Sequence, residues 1–195
     1  MKDINWDRAF TIYFDLEKGI SDERKPIQRR LSDLKGIFYD TESLELMLKD
    51  NNPLIYEFFD LGPPENPGDL AFGTSIVYPG KVGNEYFMTK GHFHSILETA
   101  EIYYCLSGKG YMLMENPEGD WDAKEMTPGK VVYVPKRYAH RSINTGNVPL
   151  VTFFAFRADA GHDYGTIETN GYKKLLVETD GKVEIIDNPK WISCK

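Results

Sequence analysis

Cysteine is scarce in this sequence: Cys105 and Cys194 are the only two in 195 residues. One lies inside an apolar run and the other at the C-terminal end, a spacing that suits no disulfide framework. A reducing cytoplasm is the expected location. Long hydrophobic runs are also missing. No stretch approaches the roughly 18 apolar residues of a membrane span, and residues 1–8 carry no apolar signal-peptide core, so neither membrane nor export is expected. Positive charge is outnumbered, with 23 basic against 30 acidic residues and a net charge of -7. At a pI near 5.2 the surface should repel a nucleic-acid backbone. A small anion remains admissible where local cations and backbone N–H groups converge. Repeats, low-complexity tracts and interdomain linkers are absent, and one domain over residues 1–195 is expected.

Aromatics and turn residues are plentiful. The 12 Tyr, 11 Phe, 17 Gly and 11 Pro favour many short strands. Apolar, β-branched or aromatic runs at 54–59, 70–78, 85–88, 101–106, 110–115, 130–134, 140–144 and 150–156 are separated by Gly, Pro and Asn turns. This regularity predicts an all-β sandwich or barrel core over 53–160. Residues 1–52 read as an N-terminal extension that wraps the barrel or a partner subunit, with a strand-like run at 6–14 and a charged stretch at 22–30. Within it Thr41 is placed to cap a helix over 42–50, although the spacing of Leu44, Leu46 and Leu48 also suits a strand. Residues 161–195 read as a C-terminal extension, in which runs at 172–177 and 183–186 flank the tight-turn pair Asp180-Gly181.

The chemistry concentrates around the histidines. His92 and His94 flank Phe93 at a strand end, so alternation puts both imidazoles on one face. Glu101 opens an apolar run and His140 begins another. Three imidazoles with one carboxylate suit a first-row divalent metal and leave coordination positions open. Glu98 competes with Glu101 for the carboxylate role, although Glu98 sits in a turn-like segment. Tyr103, two residues beyond Glu101, should share its face. Thr89, Lys90 and Gly91 offer a hydroxyl, a cation and a backbone N–H beside His92, suited to an anionic group. Each also has a plain structural reading: Tyr103 and Tyr164 as packing, Thr74, Ser75 and Thr89 as strand formers, His162 as a loop residue bordering the pocket.

These residues resemble the cupin motifs. His92, His94, Glu101 and Gly108 supply the first, and Gly129, Pro135, His140 and Asn144 the second. Arg137 stands where the second motif has glycine, Tyr86 where the first does, and the gap from His94 to Glu101 is longer than usual. A closer resemblance, to the cupin-type glucose-6-phosphate isomerases, runs through 78–83, 89–94, 100–103 and 161–166, with Arg29-Arg30-Leu31-Ser32-Asp33 near the start and Asp187-Asn188-Pro189 near the end. In that family the longer gap is normal, which selects Glu101.

The resemblance implies a cupin double-stranded β-helix (jelly-roll) barrel with minor helices, a homodimer, and interconversion of glucose 6-phosphate and fructose 6-phosphate in glycolysis and gluconeogenesis. It implies one divalent metal, iron(II) foremost, with nickel, manganese or zinc able to occupy the ligands His92, His94, Glu101 and His140. Catalysis falls to Glu101 and Tyr103, by proton transfer through a cis-enediol, with a hydride shift between carbons as the other route. Tyr56, Thr74 and Tyr164 are expected around the phosphate, together with Thr89, Lys90 and Gly91. A metal dioxygenase and a non-catalytic sugar-phosphate binder are the alternatives. Substrate-dependent oxygen uptake without sugar isomerisation would mark the first; a Glu101→Gln protein that keeps its ligand affinity and had no turnover to lose would mark the second.

Overall fold

The computed structural model describes residues 4–193; Cys194 lies outside them. Among the described residues the strands, numbered in chain order, pair antiparallel in three sheets. The largest runs β1 (Ile27–Arg30), β2 (Leu54–Asp60), β3 (Leu70–Val77), β11 (Leu150–Arg157), β6 (Glu101–Ser107), β9 (Val131–Val134). A second, β10 (Ala139–Asn144), β7 (Gly110–Glu115), β8 (Trp121–Met126), forms the other wall, and a third runs β13 (Lys182–Asp187), β12 (Lys174–Thr179), β5 (Glu85–Tyr86), β4 (Lys81–Val82). Residues 87–92 join the second and third: Asn144 N donates to Phe87 O, Thr89 N to Ser142 O, and His92 and His140 exchange both backbone hydrogen bonds. The expected all-β double-stranded barrel therefore forms. Strand β8, Trp-Asp-Ala-Lys-Glu-Met, was not legible as a strand because it is an edge with little burial to enforce alternation.

Alternation decides what each strand shows to the interior. Along β6, Glu101, Tyr103 and Cys105 are buried while Ile102 and Tyr104 are exposed. The C-terminal hairpin joins β5 through Val177 opposite Glu85, and its turn residues Asp180 and Gly181 take φ of 51° and 73°, the mirror-image turn that matches strand twist. At the second barrel motif, Arg137 also takes a positive φ of 71°. That explains why glycine stands at this position in the motif, since a side chain there is strained. Asn144, the motif's last residue, is fully buried and pins a corner by donating from Nδ2 to the carbonyls of Val77 and Val148.

Two expectations for the N-terminal region are corrected. Residues 6–14 form no strand. They pack side chains on the outer face of the six-stranded sheet, with Phe10 stacked on Phe72 and Phe14 edge-on to Phe153, and so find apolar cover without ladder partners. The helix α1 (Thr41–Asp50) does form, but Asp40 caps it: its Oδ1 accepts from Ser43 N at 2.9 Å. Asp40 lies one residue before Thr41, which already has helical geometry and belongs to the first turn.

Candidate active site

Backbone pairing between two segments far apart in the chain assembles one end of the barrel cavity. Glu101 opens β6 facing inward, and His140 is the second residue of β10. His92 bridges His140 backbone to backbone, so His94 returns to the same side two residues later. Ligand atoms of His92, His94, Glu101 and His140 all lie within 4.8 Å of one another. Glu98 takes no part in this cluster; it is exposed and paired with Lys136.

Hydrogen bonds behind the rings set their tautomers. Thr99 Oγ1 donates its single proton to Ile96 O at 2.7 Å, so at 2.7 Å from His94 Nδ1 it must accept. His94 therefore carries its proton on Nδ1 and presents a lone pair from Nε2. His140 Nδ1 faces the carbonyl of Tyr138 at 3.3 Å, which again leaves Nε2 as the lone pair. Those two nitrogens approach Glu101 Oε2 at 3.1 and 2.8 Å. For His140 the approach lacks hydrogen-bond alignment, and its Nε2, like that of His92, has no hydrogen-bond partner though buried. Lone pairs aimed at a carboxylate repel unless a cation lies between them. The arrangement fits a divalent metal with outer partners holding the ligands.

Burial alone would raise the Glu101 carboxyl. Positive charge at His140, the largest lowering influence, outweighs it and holds Glu101 well below the ordinary carboxylate range; a divalent cation between these groups supplies the same effect with the imidazoles neutral. Burial, with the neighbouring charges of His140 and His162, pushes His92 well below a free imidazole, so it is neutral and available as a ligand. Burial, reinforced by the charge and hydrogen bond of Glu101, raises the Tyr103 hydroxyl well above its usual value. It is a proton donor throughout the physiological range.

From this end a cavity of about 240 Å³ runs to the surface, the scale of a metabolite rather than a macromolecule. Tyr103 lines it beside His92, His140 and Glu101. Toward the mouth lie Tyr56 and Phe58 from β2, Ser75 from β3, Thr89, Gly91 and Tyr164. Gly91 is obligatory here: at φ 79° a Cβ would meet the Tyr172 hydroxyl at 2.6 Å. Burial, with the charge of Tyr164, pushes Tyr56 up to about 12.

Two expected residues are not in the wall. Thr74 points to the opposite face of β3, where its hydroxyl donates to Gly19 O, and Ser75 faces the cavity instead. The two differ by one position on a strand, which inverts the face. Lys90 turns outward, its Nζ 2.7 Å from Glu168 Oε1 on α2 (Gly165–Asn170); the positive φ of Gly91 breaks alternation there, so that Thr89 and His92 both face the cavity while Lys90 does not. His162, read as a loop residue, lines the cavity with its ring 4.4 Å from that of His92. All four histidines of the chain thus gather at one place, and their scarcity was the available signal for His162.

A family model of glucose-6-phosphate isomerase matches residues 28–191. A glucose-6-phosphate isomerase of Thermococcus litoralis is 49% identical over 188 residues, spanning 96% of this chain and 99% of its own length. That of Pyrococcus furiosus is 46% identical over 186 residues, spanning 95% and 98%. Among solved structures, one of an oxalate oxidase is similar at a TM-score of 0.49 and 14% identity, covering 60% of this chain and 58% of that one.

Proposed function

This chain belongs to the glucose-6-phosphate isomerase family and is an aldose–ketose isomerase, and from that premise we propose that it interconverts glucose 6-phosphate and fructose 6-phosphate in this cavity. The observation that carries the reading is the convergence of three imidazole nitrogens and a carboxylate oxygen within 4.8 Å, at the closed end of a cavity with room for one metabolite. His92, His94, Glu101 and His140 would hold one divalent metal. When bound, the metal supplies Lewis-acid polarisation of the substrate's carbonyl and adjacent hydroxyl oxygens.

The chain's own residues do the rest. Glu101, kept ionised by His140 and His94, takes the proton from C2 of the open-chain aldose and returns it to C1. The electron pair of the broken C–H bond passes through the cis-enediol, and the reverse transfer runs from the ketose. Tyr103, beside Glu101 and held protonated, donates to the C1 oxygen of the aldose and takes back the proton of the C2 hydroxyl as the C2 carbonyl forms, so that both proton transfers balance. Ser75, Thr89, Tyr56 and Tyr164 provide hydroxyls for the phosphorylated end of the sugar. Phe154 and Phe156, which line the cavity, limit water near the carbon undergoing proton transfer.

Iron(II) is the metal proposed, with nickel, manganese or zinc able to occupy the same ligands, since imidazole and carboxylate suit all of these. A homodimer is supported by the apolar outer face of β6 and β9, where Ile102, Tyr104, Val131 and Tyr133 are exposed. A cytoplasmic setting in glycolysis or gluconeogenesis is supported by the free, buried Cys105, and no helix among the described residues is long and apolar enough to cross a membrane. The test is a coupled assay of fructose 6-phosphate conversion before chelation, after it, and after add-back of each metal. Activity should vanish and return, most fully with iron(II); turnover indifferent to the chelator and to His92→Ala would refute the metal-dependent reading.

A further inference from the structure

Building on the isomerase reading, we propose that Arg29 is the cation that receives the substrate's phosphate at the mouth of the cavity. A phosphate dianion leaving water needs positive charge at its new site, and Arg is suited to it through its planar, bidentate fork. No Lys or Arg is among the residues lining the cavity, which include the acidic Asp60 and Glu101. Lys90, the nearest cation in sequence, is committed to Glu168.

Arg29 is free of such a commitment. Its guanidinium donates one hydrogen bond, to the Gln28 carbonyl at 3.2 Å, and it forms no ion pair among the described residues. Strand register puts it at the rim: in β1, Ile27 lies opposite Phe58 and Arg29 opposite Tyr56. Ile27, Phe58 and Tyr56 all line the cavity, and Arg29 shares the face of Ile27 by alternation. Arg30, the next residue, turns the other way and donates to the Asn52 carbonyl at 3.0 Å. The positive charge of Arg29 also reaches both mouth tyrosines. It opposes the rise that burial imposes on Tyr56 and on Tyr164. An anion lying between those hydroxyls would lie in the same field, offset against Asp60.

The test is calorimetric titration of the metal-loaded protein with fructose 6-phosphate and, separately, with inorganic phosphate, alongside steady-state kinetics. Arg29→Gln should weaken binding of both about 10-fold, raising KM far more than it lowers kcat. Arg29→Lys should recover part of the loss, and Arg30→Gln should bind as the unaltered protein does. Thermal melts of all three variants should overlay, since Arg29 is half-buried on an edge strand. Affinities unchanged in Arg29→Gln, a loss as great in Arg30→Gln, or no measurable phosphate binding by the unaltered protein would each overturn the inference. An unaltered protein that binds fructose 6-phosphate without converting it would refute the isomerase reading, while the affinities of the variants would still decide the role of Arg29.

Discussion

The closed end of the cavity and its mouth are built in different ways. At the closed end, His92, His94 and Glu101 come from one short stretch and His140 from the strand paired beside it, and each histidine has a partner behind it or a fixed backbone bridge. At the mouth, each group comes from a different segment: Tyr56 from β2, Ser75 from β3, Thr89 from the link before His92, Tyr164 from the loop before α2. Motif spacing and one strand bridge therefore hold the chemistry, and the packing of several separate segments holds the recognition. Damage at the closed end should abolish turnover while sparing affinity; damage at the mouth should do the reverse.

The sharpest division is expected from Glu101→Gln. The amide retains shape but cannot accept the proton, so kcat should fall by about 10²- to 10⁴-fold in the coupled assay, while calorimetric affinity for fructose 6-phosphate changes little. A matching collapse of affinity would show that the two ends are one cooperative unit. Thr99→Val removes the acceptor that fixes the His94 tautomer and should weaken metal binding about 10- to 100-fold, read by competition with a chromogenic chelator. Unchanged metal affinity would mean that the backbone alone orients the ring.

At the mouth the contrast is between neighbours on β3. Ser75→Ala should raise KM several-fold with kcat nearly unchanged, whereas Thr74→Ala should leave KM alone and cost about 1 kcal/mol of stability through the lost bond to Gly19. Kinetics and thermal melts of the pair together test the face assignment, and a KM effect confined to Thr74→Ala would reverse it. The smallest expected effect belongs to Arg137→Gly. Relieving the positive φ while giving up only the exposed contact with Glu118 should stabilise the protein by about 0.5–1 kcal/mol, with metal affinity unaltered. A fall in melting temperature would instead assign the Glu118 contact a structural weight.

How much could be read in advance follows the same division. The strand over 101–107 is legible because its buried face alternates, and those over 110–115 and 150–157 because they are short apolar and aromatic runs, buried on both faces, between turn residues. The edge strand β8 and the outer-face packing of residues 6–14 were not, since neither obeys a periodic burial rule. Register counted from Gly108 and the family resemblance pointed to Glu101 over Glu98, and the geometry agrees. Thr74 is what the family resemblance implies, and nothing in the pattern of a nearly continuous apolar strand reveals whether Thr74 or its neighbour Ser75 faces inward.

By itself, the sequence determined the antiparallel β architecture, the tight turn at Asp180-Gly181 and the four converging ligands. The turn depends on neighbouring residues, the strands on a two-residue period, and the ligand set on the spacing of two motifs that a long-range strand bridge brings together. Only the tertiary structure decided that Ser75 replaces Thr74, that Lys90 turns away to Glu168, that His162 joins the other three histidines and that Arg29 stands on the rim. Those outcomes depend on which strand lies beside which and on the face each presents, and a one-residue change of register inverts the answer.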